Sequence, residues 1–232
     1  MTLRTGGVSA APYNTLNLGT HVGDDPTAVA RNRNLLRTTL RLPAEPTWLD
    51  QVHGTHVLTL DSPPTSSSST PPKADAAVTQ TPNRVCVIQV ADCMPVLMAS
   101  LDGKVVAASH AGWRGLVGGV LENTLAAMAQ PASNVIAWLG PTISQLHFEV
   151  GDEVRAAFIQ NDSKAAAAFT PNERNRWQCD LYALARQRLT ALGVRHISGG
   201  GWCTFADSER FFSYRRDGRC GRMAALIWLA PS

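Results

Sequence analysis

The sequence predicts an α+β fold built on a mixed β-sheet. Two observations carry this: apolar, β-branched runs outnumber helical stretches, and "DG" at Asp102-Gly103 joins two of those runs as an antiparallel hairpin. A purely parallel, doubly wound sheet would need a helix at that connection instead. In chain order, "GDDPTAVARNRNLLRTTL" reads as a helix with Asp25 as cap, Pro26 at the first helical position and Val29, Leu36 and Leu40 on one face. "TWLDQVHGTHVLTL" reads as two short extended runs broken at Gly54. "RVCVIQV", "PVLMAS" and "KVVAASH" form a dense β section. "GLVGGVLENTLAAMAQ" is expected to be one helix with Val117, Leu121 and Leu125 inward, and "NVIAWLG" a buried strand. "EVGDEVRAAFIQ" and "CDLYALARQRLTALG" are amphipathic helices, the second between an Asp180 cap and Gly193; "RMAALIWL" is a last buried strand.

The 232 residues are 44% hydrophobic and 17% charged, which suits one globular domain over 1–232. The one break in composition is the Ser/Pro-rich stretch at 61–73, "DSPPTSSSSTPPK", expected to be an exposed loop. A net charge of +3 without a Lys/Arg run gives nucleic-acid binding no support, yet it suits a small anionic substrate such as phosphate. The start lacks the apolar core of a leader peptide and no apolar run approaches the ~18 residues of a membrane span, so a cytoplasmic protein with no membrane partner is expected. Five cysteines (Cys86, Cys93, Cys179, Cys203, Cys220) form no CxxC pair, which excludes zinc ribbons and thioredoxin-type motifs. Neither GxGxxG nor GxxxxGK[ST] occurs.

Chemistry concentrates in three short segments. His53 in "QVHG", Cys93 in "ADC" and His110 in "HAGWRG" each fall at a strand end or a strand-to-turn junction. Two imidazoles and a thiolate, with a fourth position open, make a ligand set used by catalytic zinc. Cys93 with His110 could equally be a nucleophile and its base, or a core thiol near a structural histidine. On a strand, His56 would point away from His53, whereas Gln51 would share its face and could orient the ring or touch substrate. Asp92, adjacent to Cys93, would face the opposite way. Gly112 and Gly115 allow tight turning before a helix, with Arg114 placed to add a charge for phosphate or carboxylate and Trp113 beside it. Arg4 in "LRTGGVS" poses the same choice; Arg215 and Arg216 in "FFSYRRDG" read as surface residues.

The blocks "NLGTHVGDDP", "WLDQVHGTHV", "ADAAVTQTP", "VADCMPVLM", "HAGWRGL", "WLGPTISQLHFEVGDEV" and "ERFFSYRRDGRCGRMAALIWL" together resemble the laccase-domain family, in order and from about Arg4 to the end of the chain. Its members are also named multicopper polyphenol oxidase, purine nucleoside phosphorylase and peptidoglycan editing factor. The resemblance implies layered β-sheets with helices outside, a fold shared with the deamidase domain of a bacterial necrotizing toxin. It implies zinc on His53, Cys93 and His110. It also implies phosphorolysis of adenosine, inosine and methylthioadenosine, together with adenosine deamination.

Deamination follows from an acidified water attacking purine C6, with Asp75 and Asp92 as candidate proton carriers. For phosphorolysis, Arg4 and Arg114 are candidate phosphate contacts, with Gln51 and Trp113 as further substrate contacts. Copper is an alternative metal and would suit a polyphenol oxidase, but six histidines without a cupredoxin-like cluster do not furnish several copper centres. The remaining alternatives are a metal-free Cys–His hydrolase or deamidase and an enzyme that edits peptidoglycan precursors.

Overall fold

The computed structural model describes residues 1–61 and 70–231. Asp25 caps α1 (Pro26–Thr39): its carboxylate accepts the Thr27 N–H at 2.9 Å, and Pro26 occupies the first turn, where no intrahelical donor is needed. Val29 and Leu36 turn inward, but Leu40 is the C-cap and 45% exposed, so the expected apolar stripe ends a turn early. The "TWLDQVHGTHVLTL" segment yields one strand, β1 (Val57–Thr59), and not two. Upstream of it Thr47 and Asp50 make only isolated bridges, and the chain turns at His53, whose φ of 61° lies in the left-handed region.

β2 (Ala76–Thr79) follows, then the expected β3 (Val85–Val90), β4 (Met94–Ser100) and β5 (Val106–Ala111), with the Asp102-Gly103 turn between the last two. The expected single helix after "HAG" is two, α2 (Trp113–Gly118) and α3 (Val120–Met128), because Gly119 takes φ 100° between them. β6 (Val135–Leu139) alternates, with Ile136 41% exposed, and is therefore half-buried where a fully buried strand was expected. Next come β7 (Glu149–Val150), α4 (Asp152–Asn161), β8 (Phe169–Pro171) and β9 (Trp177–Cys179). Asp180 caps α5 (Leu181–Ala191) through the Ala183 N–H, and Gly193 follows its end at φ 95°. The chain closes with β10 (His196–Gly199), α6 (Tyr214–Asp217) and β11 (Met223–Trp228).

The main sheet has the order β1-β2-β5-β4-β6-β10; its two outer pairs are parallel and its inner pairs antiparallel, which makes the fold α+β with a mixed sheet. β11 and β3 form an antiparallel ribbon, and β7-β9-β8 a small third sheet. Successive residues of a strand face opposite sides, and the core divides accordingly. Ala76, Val78, Val96, Met98 and Ala107 pack with Leu121, Leu125, Leu184 and Leu189 on the helical side. Ala77 and Ala108 pack with Cys86, Ile88, Val90 and Met223 of the ribbon on the other.

Of the Ser/Pro-rich stretch, residues 62–69 lie outside the described residues. Its flanks are tied down: Asp61 accepts the Thr79 hydroxyl and the Gln80 and Thr81 N–H groups, and Lys73 bridges Asp50. Among the described residues no helix is long and apolar enough to cross a membrane.

Candidate metal centre

Strand register assembles the site. β4 pairs with β5 so that Met94 faces Ala111, and continuing that register sets Cys93 beside Gly112. β2 pairs with β5 so that Ala76 faces Ser109, which sets Asp75 beside His110; the His110 N–H donates to the Asp75 carbonyl at 2.7 Å. β1 runs parallel to β2 with Val57 against Ala76, bringing the turn that carries His53 to the same end of the sheet.

His53, Cys93 and His110 converge there, with their ligand atoms all within 4.8 Å of one another. Among the described residues they are the one group of three or more His, Cys, Asp or Glu side chains so placed. Cys93 Sγ and His53 Nε2 are 3.9 Å apart, and the two imidazole rings meet edge to face at 4.8 Å between centroids. A tetrahedral zinc with Zn–S of about 2.3 Å and Zn–N of about 2.0 Å holds such atoms roughly 3.6 Å apart, so the donor set fits the ion in kind and in spacing. His110 is buried, Cys93 half-buried and His53 exposed, which leaves the group open on one side.

Gly112 makes room for it. A Cβ there would lie 2.9 Å from Cys93 Sγ and 3.3 Å from His53 Cδ2. One turn on, a Cβ at Gly115 would lie 2.8 Å from the Gly54 carbonyl oxygen, so α2 also sits hard against the His53 turn.

Burial opposes ionisation of the Cys93 thiol, but the charge on His110 and hydrogen bonds from both histidines outweigh it and bring its pKa down to about 6. His110 responds in kind: burial would lower it, but Cys93 and Asp75 raise it to about 9. Asp75 is fully buried, and His110 and the backbone N–H groups of His53 and Gly54 hold it below the usual carboxylate range against the cost of desolvation.

The cluster lies on a cavity of about 500 Å³ that Gln51, Asp92, Trp113 and Arg114 also line. The Arg114 guanidinium lies over the Trp113 ring, 4.4 Å from its centroid. Gln51 does not orient His53: its amide donates to the Gln89 carbonyl at 2.8 Å and accepts the Gln89 N–H at 2.7 Å. Asp92 is a loop anchor, not a strand residue (φ 89°), and its carboxylate accepts the Thr204 hydroxyl at 2.6 Å and the Arg215 N–H at 2.7 Å. Asp75 is not among the cavity-lining residues. Arg4 sits apart from the cavity, donating to the carbonyls of Asn14 and Ser208 and lying over the Phe212 ring. His56 stays outside the cluster, although not for the strand reason anticipated, since His53 is in a turn.

Sequence reasoning missed His21, Tyr214, Arg215 and Arg222, all of which line the cavity. Arg215 is the instructive case. Its guanidinium donates to the Glu149 carbonyl and lies over Phe148, so this arginine is exposed, as expected, and also forms part of the cavity wall. Arg216 instead donates to the carbonyls of Thr204, Phe205 and Phe211 and pairs with Asp217, as a structural residue does. "THVGD" was the available signal for His21, but nothing in its spacing assigns a role.

Residues 1–230 match the family described as multi-copper polyphenol oxidoreductase laccase. The chain is 51% identical over 226 residues to the purine nucleoside phosphorylase YfiH of Escherichia coli K12, covering 97% of this chain and 91% of that protein. It is 49% identical over 230 residues to the purine nucleoside phosphorylase PA4543 of Pseudomonas aeruginosa, covering 99% and 92%. Among solved structures it is similar to the Neisseria meningitidis protein NMB0706, with a TM-score of 0.93 and 47% identity over 100% of this chain and 93% of that one. YlmD from Geobacillus stearothermophilus follows with a TM-score of 0.92 and 28% identity, covering 99% and 90%. With the match running through every segment that builds the cluster, the chain belongs to the multi-copper polyphenol oxidoreductase laccase family.

Proposed function

We propose that this protein is a zinc-dependent purine nucleoside phosphorylase that acts on adenosine, inosine and methylthioadenosine and also deaminates adenosine. The observation that carries the reading is the open His53–Cys93–His110 group on an arginine-lined cavity, in a chain about half identical to proteins named purine nucleoside phosphorylase. His53, Cys93 and His110 would hold the ion, which supplies Lewis-acid chemistry when bound. The side chains supply the rest. The Trp113 face, backed by Arg114, suits stacking of a flat base. Arg114 and Arg222 bring positive charge to the cavity, where a phosphate would be held against the ribose. In phosphorolysis a phosphate oxygen bonds to ribose C1′ as the C1′–N9 bond breaks, and the base leaves with that electron pair and takes up a proton.

A laccase-like oxidase on copper is the alternative. It is disfavoured because several copper centres need several ligand groups, and the described residues provide one. The test is chromatography of adenosine and inosine incubations with and without phosphate, after metal quantification. Base release only with phosphate, lost in His110→Ala, is the expected result. Release without phosphate points to a hydrolase, and activity in a zinc-free sample that thiol alkylation abolishes points to a Cys–His enzyme.

A further inference from the structure

We propose that Asp75 is the positioning residue for both histidines of the cluster, so that one buried carboxylate fixes two of the three ligands. The inference rests on the metal reading above and adds to it a residue that touches neither the ion's position nor the cavity.

Asp75 has no exposed surface. Its Oδ1 accepts Nδ1–H of His110 at 2.8 Å and the His53 N–H at 2.9 Å; its Oδ2 accepts the Gly54 N–H at 2.6 Å and the Val52 N–H at 3.2 Å. A buried carboxylate without an arginine or lysine partner is tolerable only when donors surround it in this way. With both oxygens engaged and no share in the cavity wall, it is badly placed to carry protons to and from substrate.

Two consequences follow. The bond to Asp75 keeps the His110 ring proton on Nδ1, which leaves Nε2 as the nitrogen available to an ion. The three bonds to consecutive N–H groups hold the 52–54 turn closed around the carboxylate, and within it His53 keeps its left-handed φ of 61°, a conformation that costs a non-glycine residue energy unless its surroundings over-determine it. Gly54 permits the close approach, since even a Cβ there would lie 3.3 Å from Oδ2. An asparagine cannot substitute. Its single amide oxygen can serve only one side, and its NH₂ then faces either the turn's N–H groups or His110 Nδ1, driving the ring proton onto the ligand nitrogen.

The test is competition titration of zinc against a chromophoric chelator, using metal-free full-length protein. Wild type is expected to bind about one zinc per chain, and Asp75→Asn to bind it about 10–100-fold more weakly. Asp61→Asn is the control: that carboxylate caps the Thr79–Thr81 turn at the far end of β2, so its loss tests a merely structural effect and should leave zinc affinity unchanged. Asp75→Asn binding zinc as wild type does overturns the inference and leaves the metal reading standing. Wild type that takes up no zinc overturns both. If Asp75→Asn does not fold, ¹⁵N NMR of histidine-labelled, zinc-loaded wild type decides: His110 bound through Nε2 with a proton on Nδ1 is expected, and binding through Nδ1 overturns the inference.

Discussion

At Gly112 the room for a side chain is set by two candidate ligands, Cys93 and His53. Gly112→Ala should therefore push sulfur and imidazole apart while leaving the sheets intact. We expect loss of stoichiometric zinc at a stability cost of about 1–3 kcal/mol, as for other overpacked sites, measured by metal analysis beside a denaturant curve. The cysteines give a second prediction at this scale. His110 and His53 bring Cys93 down to about 6, while burial drives Cys86 up to about 12 and also raises Cys179 and Cys220. At pH 7 the metal-free Cys93 is largely thiolate and the other three are thiols. Iodoacetamide followed by peptide mass spectrometry should label Cys93 ahead of those three, and prior zinc loading should protect it. Equal labelling of Cys86 and Cys93 would contradict the electrostatics.

The α2–α3 break shows how an element can carry a site. Gly119 at φ 100° lets α2 end early and tuck against the His53 turn while α3 turns its apolar face to the sheet. Gly119→Ala places a Cβ in a left-handed backbone and should cost about 1–2 kcal/mol. Leu121, fully buried between α3 and the sheet, should cost about 2–5 kcal/mol as Leu121→Ala without changing zinc stoichiometry. Elements with a six- or seven-residue, mainly apolar run or a clear cap were legible in the sequence: β3, β4, β5 and β11, and the helices begun by Asp25 and Asp180. β2 was not, because "AAVT" is a run of small residues that takes its strand identity from neighbours on both sides. Three-residue strands such as β8 and β9, and the four-residue α6, are too short for any period to register. The site shows the same division. His53, Cys93 and His110 could be grouped from the sequence as a possible zinc set, but the family blocks were needed to favour that grouping, because the candidate ligands come from two turns and a strand that strand register unites. Asp75 as a partner of both histidines, and Arg215 as a wall of the cavity, depend on contacts across 35 and 123 residues that no local pattern encodes.

On the scale of the molecule, an ion on His53, Cys93 and His110 would join the turn before β1, the β3–β4 turn and β5, and would bind only where all three are in place. Zinc at 100 times its dissociation constant should then add about 2.7 kcal/mol to stability. For a chain of this length that is a rise of about 5–10 °C in Tm over the chelated protein, checked by calorimetry. Charge is also distributed to serve the cavity, since Arg114, Arg215 and Arg222 all border it. Asp92 adds a constraint in time. All three candidate ligands lie in the first half of the chain, yet the loop that presents Cys93 is pinned through Asp92 by Thr204 and Arg215, and the strand leading into that loop, β3, pairs with β11 at the far end of the chain. A nascent chain leaving the ribosome thus carries His53, Cys93 and His110 out well before the segments that pin the Cys93 loop have been made. The three side chains can therefore reach their final spacing only after residues 204–228 have joined the fold, which makes the cluster a late product of folding although its residues are made early.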